Sequence, residues 1–288
     1  MYKIAILGSE NSHCAGFASV LAPTSGVKRF PEFMLWGVAG DDDSNIAVSE
    51  KAAVPVFSTD PAAFAGQVDA VMITARHGGL HLPYAMPYIR EGAKIWIDKP
   101  ITASVEDARE LVRLAHENRL LLCGGSSLAG AAGTVRMKEL VRNKRGNVTG
   151  GHVTAPVNLV NDYGNFWFYS QHLVQMVTEI FGQDIVSVSA KRKGEGVPAV
   201  FHYPDFDVTA YFGTGYSATV YLGGYSVACE KIDLGAEYFM PELNEFAAML
   251  REGTVRQTPE ELVYPVLVID ALIRSMEADG AEKEPVTL

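Results

Sequence analysis

Two short stretches of the chain place reactive side chains where a fold could use them. The first is Gly8-Ser9-Glu10-Asn11-Ser12-His13, directly after the apolar run 2–7. A strand, a tight turn and a helix open a dinucleotide-binding unit. Its turn ordinarily reads Gly-x-Gly-x-x-Gly: one glycine for the turn, one for backbone approach to the pyrophosphate, one for helix–strand packing. Gly8 keeps the first task. Glu10 stands in the second place and would oppose an anion unless it turns outward or meets a cation. His13 takes the third place and needs space or a partner. Ser9, Asn11 and Ser12, with the helix N-terminus, can still hold an anion. An ordinary strand–helix turn with no nucleotide fits the same residues. The second stretch is "WIDKPIT" at 96–102. Lys99 lies between apolar strand residues and a proline, a setting that favours a functional lysine over a surface one.

Other candidates surround these two. Asp41 follows "VAG" near the end of the second apolar run, where an acid would hold ribose hydroxyls. Asp41, Asp42 and Asp43 together would repel a 2′-phosphate, so NAD is favoured over NADP; for Asp42 and Asp43 a solvated acidic loop is the alternative. His77 and His81 flank Gly-Gly-Leu and make only a loose metal pair, so no metal site is assigned; a loop at the nicotinamide or its ribose is the better reading, with a plain surface loop for His77. Tyr163, Trp167 and Tyr169, with Phe166, could stack on a sugar ring; a core cluster or a subunit interface would use them equally well. Tyr211, Tyr216, Tyr221 and Tyr225 fit an oligomer face. Nothing resembles a Ser–His–Asp triad.

The elements that must position these residues fall into two patterns. Over the first half, continuous apolar runs at 2–7, 33–40, 54–58, 68–75, 93–100 and 120–125 alternate with helical spacing at 13–22, 44–53, 60–66, 82–92 and 104–119. Unbroken apolar strands are buried on both faces, and their alternation with helices implies a doubly wound parallel sheet. The second half carries helices at 133–146, 168–182, 241–253 and 264–280, and a strand at 148–157. Between 185 and 233 short alternating runs predict an antiparallel meander with one face solvated or used for contact. The expectation is an α/β protein: a Rossmann unit over 1–122, and an α+β unit over 123–288 with an open, largely antiparallel sheet for substrate binding and oligomerisation.

The chain of 288 residues carries a net charge of −10, which argues against a nucleic-acid partner. No apolar run reaches the roughly 18–20 residues that a membrane span requires. Cys14, Cys123 and Cys229 are too few and too scattered for a disulfide framework or a zinc pattern. With no leader-like start, a cytoplasmic protein is expected.

The order and spacing of several motifs resemble the glucose–fructose oxidoreductase, inositol dehydrogenase and MocA family. "WIDKPIT" resembles its strand ending in Glu/Asp-Lys-Pro. "DAVMITARHGGLH" (69–81) is similar to its strand followed by Thr-Pro-Asn-x-x-His, which brings Thr74 and His81 to the cofactor. "QHLVQMVTEIFG" (171–182) resembles its histidine-bearing helix. The resemblance implies NAD(P)-dependent transfer of hydride to or from a hydroxyl or carbonyl carbon of a sugar-like or polyol substrate. It also implies a homodimer or homotetramer built through the second sheet. By position, Lys99 binds or polarises the substrate oxygen beside the nicotinamide, and His172 is the acid/base; a hydrogen-bonded core histidine is the plain alternative for His172. Phe168 and Gln175 replace the family's carboxylates around that histidine, and Ser170 replaces a glycine. Those departures, with Glu10, keep open a non-catalytic binding or regulatory protein. A lyase or hydrolase using bound NAD is a further variant.

Overall fold

The computed structural model describes residues 1–288. The elements follow in the order β1 (Tyr2–Leu7), α1 (Ser12–Leu21), β2 (Phe33–Ala39), α2 (Asp42–Ser49), β3 (Val56–Ser58), β4 (Ala70–Ile73), α3 (His81–Arg90), β5 (Lys94–Asp98), α4 (Val105–Asn118) and β6 (Leu122–Gly125). There follow α5 (Ala132–Lys144), β7 (Val148–Ala155), α6 (Phe166–Phe181), β8 (Ser187–Ala190), β9 (Val197–His202), β10 (Asp207–Phe212), β11 (Ser217–Leu222), β12 (Ser226–Lys231), α7 (Met240–Glu252) and α8 (Pro259–Glu277).

Two compact units result. The first comprises Met1–Thr102, Glu106–Gly124 and Glu242–Leu262; the second comprises Ala103–Val105, Gly125–Pro241 and Val263–Leu288. The expected boundary at 122 lies beside the crossing at Gly124–Gly125. The segment Glu242–Leu262, which carries α7, returns to the first unit.

The first unit holds a six-stranded sheet in the order β3-β2-β1-β4-β5-β6. Its strands pair in parallel, as between β1 and β4 and between β4 and β5. Ile4 through Leu7 and Ala70 through Ile73 are fully buried, as strands covered on both faces must be. Phe17 of α1 meets Trp96 of β5 edge to face at 4.9 Å, fixing α1 against the sheet. The strand order reverses between β1 and β4, and that switch point is where such sheets bind dinucleotides. The segment 60–66 is a string of turns rather than the expected helix. Asp60 does cap it, accepting Ala62 N–H at 2.9 Å, but Gly66 at φ +73° ends it before a helix can repay its nucleation cost.

The second unit carries a sheet in the order β12-β11-β7-β10-β9-β8. This corrects the simple meander. The β8–β9–β10 run and the β11–β12 hairpin are antiparallel as expected. β7 is inserted between them, parallel to β10 and antiparallel to β11. Strand periodicity reports which face is buried, not which neighbour is paired, so the insertion left no trace in the pattern. Along β10 every second residue is buried. The buried side packs on α6, whose Leu173, Val174, Met176 and Val177 are wholly enclosed. No helix of the chain is long and apolar enough to cross a membrane.

Candidate active site

The nucleotide-type turn is rebuilt around its lost glycines. Gly8 sits at φ +101°, and a Cβ there would lie 2.3 Å from Ala75 N, so the turn is pressed against the end of β4 and admits only glycine. Thr74 braces it from that side, its hydroxyl directed at Leu7 O and Gly8 O at 3.1 and 3.0 Å. Glu10 does not oppose an incoming anion unpaired: its Oε1 accepts Arg76 N–H at 3.0 Å. Asn11 caps α1, with Oδ1 accepting His13 N–H at 3.1 Å. Its Nδ2 donates to Asp98 Oδ2 at 3.3 Å. His13 finds the partner it needs in the same carboxylate, Nδ1 to Oδ2 at 2.6 Å. Ser12 is exposed at the helix start, while Ser9 is buried with its Oγ unpartnered. Asp41 caps α2, accepting Ser44 N–H and Ser44 O–H, each at 2.8 Å. Those bonds hold its carboxyl below the usual range, so it remains an anion at the end of β2.

Lys99 follows Asp98 at the end of β5 and is 5% exposed. Asp98 Oδ1 accepts the Lys99 N–H at 2.7 Å, and the Lys99–Pro100 peptide is cis. Burial would raise the Asp98 pKa, but the His13 charge and hydrogen bond, with Lys99, bring it below the ordinary carboxylate value. Burial lowers the Lys99 pKa; Asp98 opposes this and Arg76 assists it. His81 is fully enclosed between the two loops it joins. Its Nδ1 lies 2.7 Å from Pro100 O and its Nε2 lies 2.7 Å from Ala75 O. Burial pushes its pKa down, against the pull of those carbonyls. His77 caps the short 3₁₀ turn before α3 through Gly79 N–H.

A further acid joins this group. Glu242, at the start of α7, is 7% exposed, and neither of its carboxyl oxygens has a hydrogen-bond partner. Burial drives its pKa well up, the charges of Asp98 and Glu245 add to this, and Lys99 opposes it. Sequence reading missed Glu242, because an acid in a first helical turn is an ordinary dipole preference.

In the second unit His172 projects from α6 and is 6% exposed. Its Nδ1 lies 2.7 Å from Ser126 Oγ. Ser126 N–H donates to Gln175 Oε1 at 2.8 Å, and Gln171 Nε2 donates to the same oxygen at 3.2 Å. Gly125, at φ +107°, allows this approach: a Cβ there would lie 2.6 Å from Gln175 Nε2. Gln175, in a carboxylate's place, thus anchors the serine that touches the histidine. Tyr169 and Tyr216 flank the imidazole edge-on at 5.2 and 6.0 Å. Phe168 fills the other carboxylate's place and packs on Tyr163 at 5.1 Å. Trp167 is half-buried against the hydrophobic core. Ser126 was not among the predicted residues; a lone serine after two glycines carries no sequence signal.

A parallel 3-2-1-4-5-6 sheet with a glycine turn at its switch point is a dinucleotide-binding domain. Residues 4–125 match the model of the Gfo/Idh/MocA oxidoreductase family, NAD-binding Rossmann fold. An uncharacterized oxidoreductase of Streptococcus pneumoniae serotype 4 (strain ATCC BAA-334 / TIGR4) is 25% identical over 229 residues, 77% of this chain. The chain spans 57% of that relative's length. Among solved structures, scyllo-inositol dehydrogenase from Lactobacillus casei with bound NAD(H) and scyllo-inositol superposes with a TM-score of 0.81 at 14% identity, covering 100% of both chains. GenD2 from gentamicin A biosynthesis, in complex with NAD, gives 0.78 at 16% identity, covering 99% of this chain and 97% of its own. At these identities the likeness is one of fold.

Proposed function

We propose that the chain is an NAD-dependent oxidoreductase that moves hydride to or from a hydroxyl- or carbonyl-bearing carbon of a sugar-like or polyol molecule. The observation that carries this reading is the bond network joining the nucleotide turn to the lysine. His13 and Asn11 of the turn hold Asp98, and Asp98 holds the backbone of Lys99. A turn kept only as a fold relic has no need of that link.

The turn fits NAD in altered form. Glu10 is drawn aside by Arg76 N–H, and the orphaned Ser9 hydroxyl packs against Gly40. Ser12 and the α1 N-terminus would meet the pyrophosphate. Asp41 would meet the adenosine ribose, and the charge of Asp41, Asp42 and Asp43 disfavours a 2′-phosphate. Bound NAD supplies the hydride acceptor. The family resemblance gives Lys99 the role of binding or polarising the substrate oxygen and His172 that of acid/base. Tyr163, Trp167 and Tyr169 supply ring faces for a polyol. Among the fold's neighbours one holds scyllo-inositol, a polyol. The half-exposed Tyr211 and Tyr221 on the second sheet support pairing with a second copy of the chain.

Titration calorimetry with NAD and NADP tests the reading. NAD should bind, and more tightly than NADP. Lys99→Ala and His172→Ala should keep that affinity and lose turnover of polyols. Absence of NAD binding at millimolar concentration would favour the non-catalytic reading that Glu10 and Phe168 motivate.

A further inference from the structure

The contact between Ser126 and His172 specifies where the imidazole carries its hydrogen. Ser126 is 3% exposed. A serine hydroxyl has one hydrogen to give and two places to accept. One accepting place is filled by Leu128 N–H at 3.2 Å. The remaining hydrogen needs an acceptor, because a buried donor left unmade keeps its desolvation cost. The atom that meets it is His172 Nδ1. The reverse arrangement, Nδ1–H donating to Ser126 Oγ, would strand the buried hydroxyl hydrogen. Ser126 is held against relief by Gln175 on its N–H. Phe168, with its ring packed on Tyr163 and Tyr169, offers no acceptor for an Nδ1–H.

We propose that Ser126 holds His172 in the tautomer with hydrogen on Nε2, so that His172 meets the substrate oxygen as a hydrogen-bond donor and not as the base. This rests on the oxidoreductase reading and changes the acid/base role that the family resemblance implies for His172. A neutral imidazole is a competent electrophile toward a carbonyl oxygen.

Nitrogen NMR of the full chain with isotope-labelled histidine, without cofactor, tests the tautomer; His172→Gln identifies the signal among the 7 histidines. The wild-type His172 should show hydrogen on Nε2, in excess by about tenfold or more, and Nδ1 as a hydrogen-bonded acceptor. Ser126→Ala should move Nδ1 to the shift of an unbonded acceptor, and Ser126→Thr should restore it. Hydrogen on Nδ1 in the wild type overturns the proposal, as does a Nδ1 signal that Ser126→Ala leaves in place. Turnover is the separate arm. Ser126→Ala should lower kcat about tenfold or more with KM for NAD unchanged, and Ser126→Thr should recover it. The Nε2 tautomer with no polyol turnover would refute the oxidoreductase reading while sparing the tautomer. Turnover with hydrogen on Nδ1 would do the opposite.

Discussion

Restoring the third glycine of the nucleotide turn should damage this protein. In His13→Gly the sequence moves toward the usual fingerprint, yet Asp98 loses its shortest hydrogen bond, 2.6 Å to His13 Nδ1. The Asp98 side chain is 1% exposed, so water cannot replace the lost donor. A hydrogen bond to a buried charged group is worth about 1.5–3 kcal/mol. Glycine inside α1 costs about 1 kcal/mol more. The sum is about 2.5–4 kcal/mol, or a fall in Tm of about 5–16 °C at about 2–4 °C per kcal/mol for a domain of this size. The pH dependence follows from the sign of the Asp98 shift. His13 and Lys99 hold its folded pKa below the unfolded value against the effect of burial. That stabilisation is present above the unfolded carboxylate value, about 3.9, and is lost as pH falls through the folded one. Denaturation followed by circular dichroism should therefore show the full gap at neutral pH and, in acid, a gap that narrows toward the glycine cost alone. A variant as stable as the wild type at neutral pH, or a gap that does not narrow in acid, would refute the role of this bond.

Two other changes probe the first unit. Glu242→Gln should alter stability in the opposite pH range: the folded pKa of Glu242 is raised, so its stabilisation is present below the unfolded value and lost as pH rises through the folded one. Urea midpoints of the wild type should fall from mildly acid to alkaline pH by more than those of the variant, and parallel curves would show that the acid is not held in its protonated form. Gly8→Ala forces a Cβ to 2.3 Å from Ala75 N at φ +101°. Backbone strain alone should cost about 1–3 kcal/mol, measured as a lower thermal midpoint and weaker NAD binding; unchanged values of both would mean the turn is not pressed on β4.

The elements were legible because burial writes itself into residue order. Strands enclosed on both faces leave unbroken apolar runs, and "KIAIL", "AVMI" and "KIWID" could be read as parallel strands from that alone. Lys99 stood out in the sequence for the same reason, as a lysine at the end of such a run before a proline, and it is buried in the structure. Pairing between distant segments leaves no such mark. His13 and Asp98 are 85 positions apart, and neither pattern names the other. The insertion of β7 and the return of Glu242 to the first unit are likewise products of topology.

The lost carboxylates around His172 show what a motif can and cannot transmit. Phe168 and Gln175 stand where acids were expected, and from sequence alone the histidine looks abandoned. The physical demand did not vanish with those acids, since a buried imidazole still requires partners for its ring nitrogens. Ser126, from the segment after β6, meets that demand at Nδ1, and Gln175 meets it indirectly by holding Ser126 in place. The replacement is not chemically neutral. A carboxylate can only accept, so it would draw hydrogen to Nδ1 and leave Nε2 as a base; a buried hydroxyl has its own hydrogen to place, and with Nδ1 as its acceptor it draws hydrogen away from that nitrogen. The same histidine then presents a hydrogen, where a base would present a lone pair, at Nε2.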